Sequence, residues 1–586
     1  NNRYTAFGRA LYDLTDDLRL SAEIRYAGLN SENPFFADSN RGNINILVDN
    51  AFLPTAIRNQ MLTAGETSFR MGRFNSDYAT IGIDFDRTIT QASLALDGKL
   101  GDDWRWSGYY SHGEYEQDVE LPNERLAANF LNAVDSLLSP VTGQPTCRIA
   151  LTHPTTDCVP INLFGFGAPS QQARDYVLGT SQSHTRIGLD AGAVTLRGEP
   201  FDTWAGSTSV ALGIEARREA MRQSVGTLDR TKAFAFYNAD AFSGANTTRE
   251  AFTEVLLPLA KDMPLLRRLQ FNGAARITDD STGSIWSWKL GLIDELVDGV
   301  NLRLTRSRDI RAPNLDELYA SPLGPSSISI TDPQTGLAYF IQTFTGGNPA
   351  LQPEVSMTTT AGVTLTPSVL PALKLSLDYF DINIDNAIST VTPQNAINAC
   401  ALGNGGACAG ITRGSNGLIT IVRANQLNFV GLETRGVDLN LDYRLPLSLR
   451  LRSSMTWTGK YATDDGLTHL DYLESQGDAR FFGTPRWVGN TALFYETDRV
   501  QANIRARYLS AGYYDRNRQI QNNDIPAYTY VDAGVRLPFR RGASPSIEVF
   551  GNINNLLDKR PPAAAQFSPY YDVIGRYFVA GAKMRF

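Results

Sequence analysis

Apolar and polar residues alternate along much of this 586-residue chain with a period of two, the repeat of a strand whose side chains point to opposite faces in turn. Leu18, Leu20, Ala22, Ile24 and Tyr26 alternate with Arg19, Ser21, Glu23 and Arg25. Val437, Leu439, Leu441 and Tyr443 alternate with Asp438, Asn440, Asp442 and Arg444, and Val500, Ala502, Ile504, Ala506 and Tyr508 with Gln501, Asn503, Arg505 and Arg507. Each predicts a strand with one apolar and one polar face. Further strands are predicted at 4–14, 87–100, 104–118, 183–197, 204–221, 248–261, 267–278, 285–296 and 301–308. The second half adds 353–366, 373–388, 449–461, 485–496, 528–537, 545–554 and 573–586. Short polar turns such as Thr15-Asp16-Asp17, Gly101-Asp102-Asp103 and Asp298-Gly299 alternate with long polar excursions, the first two at about residues 30–86 and 119–181.

The apolar faces recur strand after strand, and no helix-rich layer is available to cover them. Lipid outside and water inside satisfy both faces, so the pattern predicts an all-β antiparallel transmembrane barrel with short periplasmic turns and long extracellular loops. No stretch approaches the roughly 18 consecutive apolar residues of a membrane helix. The count is about 19 strands, an odd number, whereas single-chain bacterial barrels are even; about three more strands are therefore expected upstream of Asn1. The chain opens on Asn1-Asn2-Arg3 without a charged-then-apolar leader, so a protein bound for the outer membrane is expected to carry further sequence before it.

Composition permits this reading. The chain is 42% hydrophobic and 20% charged, with a mean hydropathy of -0.23, as strands half in lipid and half in water should be. A net charge of -7 argues against a nucleic-acid partner, which would call for a basic patch. Cys147 with Cys158 and Cys400 with Cys408 form two close pairs without zinc-site spacing, and predict two local disulfides in an oxidising compartment. A short helix is predicted in the loop of the first pair, with Asn123 as N-cap and Leu126, Phe130, Val134 and Leu137 at helical spacing.

Several motifs resemble those of one family. Ser307-Arg308-Asp309-Ile310-Arg311-Ala312-Pro313-Asn314-Leu315-Asp316-Glu317-Leu318-Tyr319 looks like the strand-to-loop box of TonB-dependent outer-membrane receptors, and Gly347-Asn348-Pro349-Ala350-Leu351-Gln352-Pro353-Glu354 like its companion one loop later. Phe550 to Asp558 resembles the penultimate strand of that family, and Gly575-Arg576-Tyr577-Phe578 to Phe586 its last. A terminal strand of this kind, marked by Tyr577, Phe578 and the final Phe586, also resembles the signal read by the outer-membrane barrel assembly machinery. The resemblance implies a barrel of about 22 strands in the outer membrane of a Gram-negative bacterium, plugged by an N-terminal domain. It implies import of a scarce or bulky nutrient, small or oligomeric, with energy from TonB, ExbB and ExbD. Residues 1–586 would be the barrel domain of such a protein, with the plug and TonB box upstream. Haem receptors of the family carry a histidine between the two boxes, and none lies between Arg311 and Asn348.

The chemistry of the chain favours recognition over catalysis. His112, His153, His184 and His469 lack ligand spacing, and in Ser111-His112 and Ser183-His184 the two side chains point to opposite faces of a strand. No cofactor is called for, and Asp38 with Asn40 or Asp464-Asp465 lacks the ligand register of a calcium site. Aromatic faces with Arg donors suit a sugar, an aromatic acid or an anionic chelate. The candidate ligand residues are Tyr513, Tyr514, Arg516 and Arg518 above one strand, Tyr570 and Tyr571 entering the last, and Arg413 and Arg423 in the second cysteine loop. The rival readings are a passive porin, which would have shorter loops and no Arg-Ala-Pro box, and a surface-binding barrel partnered with a lipoprotein.

Overall fold

Among the described residues nineteen long strands follow one another in a single up-and-down meander, each antiparallel to the next. A computed structural model describes every residue except 1, 322, 391, 402, 404, 465–468, 478–482, 541–545, 563–567 and 586. The strands are β1 (Asn2–Thr15), β2 (Leu18–Ala37), β3 (Thr80–Leu100), β4 (Trp104–Arg125), β5 (Leu178–Gly198), β6 (Ser209–Val225) and β7 (Phe242–Met263). Then come β8 (Leu266–Asp280), β9 (Gly283–Val297), β10 (Val300–Arg311), β11 (Glu354–Leu365), β12 (Leu373–Thr390) and β13 (Gln426–Leu445). The last six are β14 (Leu449–Asp464), β15 (Trp487–Glu496), β16 (Gln501–Leu509), β17 (Tyr528–Arg540), β18 (Ser546–Asn554) and β19 (Tyr577–Arg585). With the short strand His469–Asp471 beside β14, they make a 20-stranded sheet. Among the described residues no ladder joins β1 to β19.

Cross-strand register sorts the side chains into two faces. Leu377, Leu439 and Met455 are opposite one another on β12, β13 and β14, while Leu451, Leu493 and Ile504 continue the same face onto β15 and β16. Leu377 and Ile504 on this face are 44% and 49% exposed, and Ile214 on β6 63%, which is the state of apolar residues that lipid covers. Exposed Tyr12, Tyr495 and Phe539 bound this belt near the turns, and Trp286, Trp487 and Tyr508 near the loops, as aromatic girdles at the two membrane surfaces do. The opposite face lines the lumen and is held by ion pairs between strands, among them Arg303 with Asp378 and Arg276 with Glu250.

At the turn end the connections are tight. Gly299 has φ 77°, and a Cβ there would lie 2.1 Å from the Thr366 carbonyl oxygen, so only glycine fits.

At the loop end the strands run on past the bilayer. β2 to β5 each have 20 to 22 residues, where about 9–11 suffice to span. The first two excursions, expected at residues 30–86 and 119–181, therefore shrink to 38–79 and 126–177, because β-pairing continues in water as a projecting rim. The strand expected at 204–221 begins at Ser209 instead, since Trp204 lies in the small hairpin between Asp202–Thr203 and Gly206–Ser207. The predicted helix is Ala127–Val134, capped by Leu126 without a side-chain bond. Asn123 is not its cap: with φ 62° it occupies a bulge of β4 between Leu121 and Glu124. Tyr577 and Phe578 start β19, Phe578 with 69% exposure on the lipid face; Phe586 lies outside the described residues.

Candidate ligand surfaces of the crown and lumen

Among the described residues three packed cores stiffen the loops into a crown. The first joins loops 38–79 and 126–177 through Ile44, Ile46, Met61, Phe130, Ile161 and Val177. Both predicted disulfides form, Cys147–Cys158 within this region and Cys400–Cys408 in loop 391–425. The Arg73 guanidinium binds both Asp77 oxygens at 2.7 and 2.8 Å. That bond holds the Asp77 carboxyl down to about 2, helped by the Gly167 N–H. Asp38 and Asn40 spend their oxygens on Arg125 and Asn75 rather than on a cation.

The second core packs Ile330, Ile341, Ile397, Ile419 and Val422 beneath the second disulfide. Arg413 bonds the buried Asp332 at 2.6 Å, and its guanidinium keeps that carboxyl below the usual range. Arg423 lies over the Phe344 ring at 5.6 Å. Both candidate arginines of this loop are thus engaged by residues of the neighbouring loop 312–353.

The third core contains Leu509, Ile525, Tyr530 and Tyr571, with Tyr528 and Tyr570 against it. Tyr570 and Tyr571 do not enter the last strand, which begins at Tyr577. Tyr571 is 5% exposed and donates its hydroxyl to Gln476 at 2.6 Å; Tyr570 donates to the Gly483 carbonyl at 2.7 Å. Burial pushes both phenols up. The ring of Tyr514 occupies the space that a side chain at Gly477 would need. Arg516 pairs with Asp471 and Glu474. Tyr513, 37% exposed, and Arg518, which forms no ion pair among the described residues, face outward from this core.

The lumen adds a surface for which the sequence reading named no ligand residue. A cavity of about 410 Å³ on the inner wall is lined by Lys374, Asp442, Arg452, Asn490 and Arg505. Asp442 is shared by Arg450 and Arg452, whereas Lys374 and Arg505 form no ion pair among the described residues and present two cationic donors to the lumen. Their signal in the sequence was the polar half of the alternation in β12 and β16, read only as a water-facing surface. The adjacent Ser and His side chains separate as expected: Ser111 bonds Gln91 on the inner face, and His112 bonds Asp190 on the outer.

A family model described as TonB dependent receptor-like, beta-barrel, matches residues 34–556. A search of the curated proteins finds no match. Among solved structures, the whole chain superposes on 69% of a mutant of the ferric enterobactin receptor PfeA from Pseudomonas aeruginosa, with a TM-score of 0.58 and 15% identity. It also superposes on 71% of the siderophore receptor PirA from Acinetobacter baumannii (TM-score 0.55, 15% identity). A third match covers 74% of the ferric-catecholate import receptor Fiu from K12 E. coli (TM-score 0.55, 13% identity). At these identities the likeness is one of fold.

Proposed function

Since the chain belongs to the TonB-dependent receptor family, through its β-barrel, we propose that it is an active importer. It captures a scarce or bulky nutrient at the cell surface and passes it to the periplasm with energy from TonB, ExbB and ExbD. The protein is an outer-membrane β-barrel, and the observation that carries the reading is the family match over residues 34–556. Capture falls to the crown and lumen and involves no covalent step. Tyr513 and Arg518 are the outward-facing donors of the crown. Tyr514, Arg516, Tyr570, Tyr571, Arg413 and Arg423 shape the surfaces behind them, and Lys374 and Arg505 receive an anionic group further down. Residues 1–586 serve as the β-barrel domain of this importer.

Uptake by cells with and without the full gene tests the reading. Labelled ferric catecholate, an oligosaccharide and an aromatic acid are supplied as probes, each with ExbB and ExbD present or deleted. Gene-dependent uptake of one probe that stops without ExbB and ExbD is expected. Gene-dependent uptake that continues without them overturns active import in favour of a passive pore.

A further inference from the structure

The outer wall between β2 and β7 carries a groove of about 740 Å³. Its sides are Leu94, Leu96, Trp106, Tyr110 and Ile214, and along its floor Gly108 and Gly192 contribute no side chain. All of these residues belong to the lipid face, since Leu96, Gly108, Val194 and Ile214 are direct cross-strand neighbours, as are Leu94, Tyr110, Gly192 and Ala216.

The apolar belt ends at the upper rim of this groove. The next outward residue towards the loops is His112 on β4, Asp190 on β5 and Arg218 on β6, and beyond them come Glu114 and Arg222. Arg249 on β7 is opposite Ala216 and lines the groove itself. Two guanidiniums thus mark the boundary between belt and water on the extracellular side. Their nearest cross-strand carboxylates are engaged elsewhere: Asp190 accepts from Tyr110 at 2.7 Å and contacts His112 at 2.8 Å, and Asp279 accepts from Ser284 at 2.5 Å. Neither Arg218 nor Arg249 forms an ion pair among the described residues, in contrast to the paired Arg276 and Arg303 of the lumen.

We propose that this groove seats an acyl chain of a phosphorylated lipid of the outer leaflet, with the lipid phosphate held by Arg249 and Arg218. The guanidinium fork matches phosphate oxygens in pairs. A side-chain-free floor lets a hydrocarbon chain lie against the backbone, where it gains dispersion contacts that a smooth wall would not give. Charge at the rim and an apolar channel below it reproduce the order of groups in such a lipid. A free anion would have no use for the channel, and a neutral lipid none for the arginines.

The test uses the full-length protein, purified in detergent and loaded with lipid A, with lipid retained after dilution counted by native mass spectrometry. Wild type is expected to retain lipid A and to lose dephosphorylated lipid A at least 10-fold faster. The double variant Arg218→Gln/Arg249→Gln should lose lipid A to a similar degree. Gly108→Leu fills the channel while leaving both arginines in place. A Cβ at position 108 meets nothing closer than 3.7 Å, so the variant should fold, and Gly108→Ala serves as a smaller step should it not. Heat-modifiable migration verifies folding of each variant, and uptake is not the readout, so failure here is separable from failure of the import reading. Equal retention of both lipids, undiminished retention by the folded double variant or by folded Gly108→Leu, or displacement of lipid A by inorganic phosphate alone would each overturn the proposal.

Discussion

Arg311 and Glu354, 43 residues apart, are bound side chain to side chain: Nη2 of Arg311 lies 2.6 Å from Oε1 of Glu354, and Nε lies 2.7 Å from Oε2. The same guanidinium reaches Glu317 at 2.9 Å. Glu317 also closes the capping box of helix Leu315–Tyr319 with Asn314. The Arg-Ala-Pro box and the Asn-Pro box are therefore one structure, a clamp that fixes where loop 312–353 leaves and re-enters the wall.

Replacing Arg311 by Met should leave two carboxylates, each less than one-sixth exposed, facing one another without a cation. A loss of about 1–3 kcal/mol is expected, discounted because the Arg311 side chain is itself 44% exposed. Denaturant unfolding in lipid vesicles measures it, and a double-mutant cycle with Glu354→Gln should return a coupling above about 1 kcal/mol. A coupling near zero would reduce the clamp to an incidental contact.

Glu124 makes the crown sensitive to pH. It is fully buried above the belt, and burial pushes its carboxyl up to about 7, reinforced by Asp229 and Asp38 and opposed by the N–H groups of Tyr237 and Phe236. With a folded value above the unfolded one, its contribution is fully present below about pH 4.3 and is lost as pH rises through about 7. Wild-type crown stability should fall over that window, by up to roughly 3 kcal/mol. Glu124→Gln should match wild type at about pH 4 and exceed it at pH 8. Hydrogen exchange of residues 226–241 at the two pH values is the measurement; identical slopes for both proteins would remove Glu124 as the cause.

The wall was legible because its information is local. Alternation at Leu18 to Tyr26 or Val500 to Tyr508 needs no knowledge of distant residues, and lipid enforces it on every strand. The two disulfides were equally local, each joining cysteines in one loop. The crown was not legible, because it is built by contacts such as Tyr571 with Gln476, 95 residues apart, that leave no periodic trace. Tyr570 and Tyr571 looked like ligand groups for that reason, while their hydroxyls serve the loop 465–486. Asn123 misled because its side chain suits a cap and its backbone freedom suits a bulge equally well, and only the pairing of β4 with β5 decides between them.

The Cys147–Cys158 bond ties down a segment of the first crown core, where Cys147 is fully buried. The double Ser variant should lose up to about 3 kcal/mol of crown stability on the loop-entropy model, visible as faster hydrogen exchange across 126–177. Exchange in the wall strands β13 to β16 should not change. Mass mapping without reduction should recover the 147–158 and 400–408 pairs and no crossed ones.

The two faces of the wall can be told apart by one substitution on each. Ile504 lies on the outer face opposite Leu493 and Ala533, and Asn503 beside it faces the lumen between Phe494 and Gly534. Ile504→Arg places a guanidinium in hydrocarbon, where desolvation is uncompensated, and should cost about 2–4 kcal/mol if the residue sits near the midplane. Asn503→Arg keeps the new charge in water, near the ionised groups that already line β16, and should cost less than about 1 kcal/mol. Both are introduced into the full-length protein and unfolded by denaturant in vesicles, with tryptophan fluorescence as the signal. The same pair of changes at Leu439 and Asn440 on β13 repeats the comparison on a distant part of the wall. A difference of the stated sign at both places fixes the register and the lipid face together. Equal losses on the two faces, or the larger loss at Asn503, would mean that β16 is slipped by one residue, which turns every side chain of the strand to the other side.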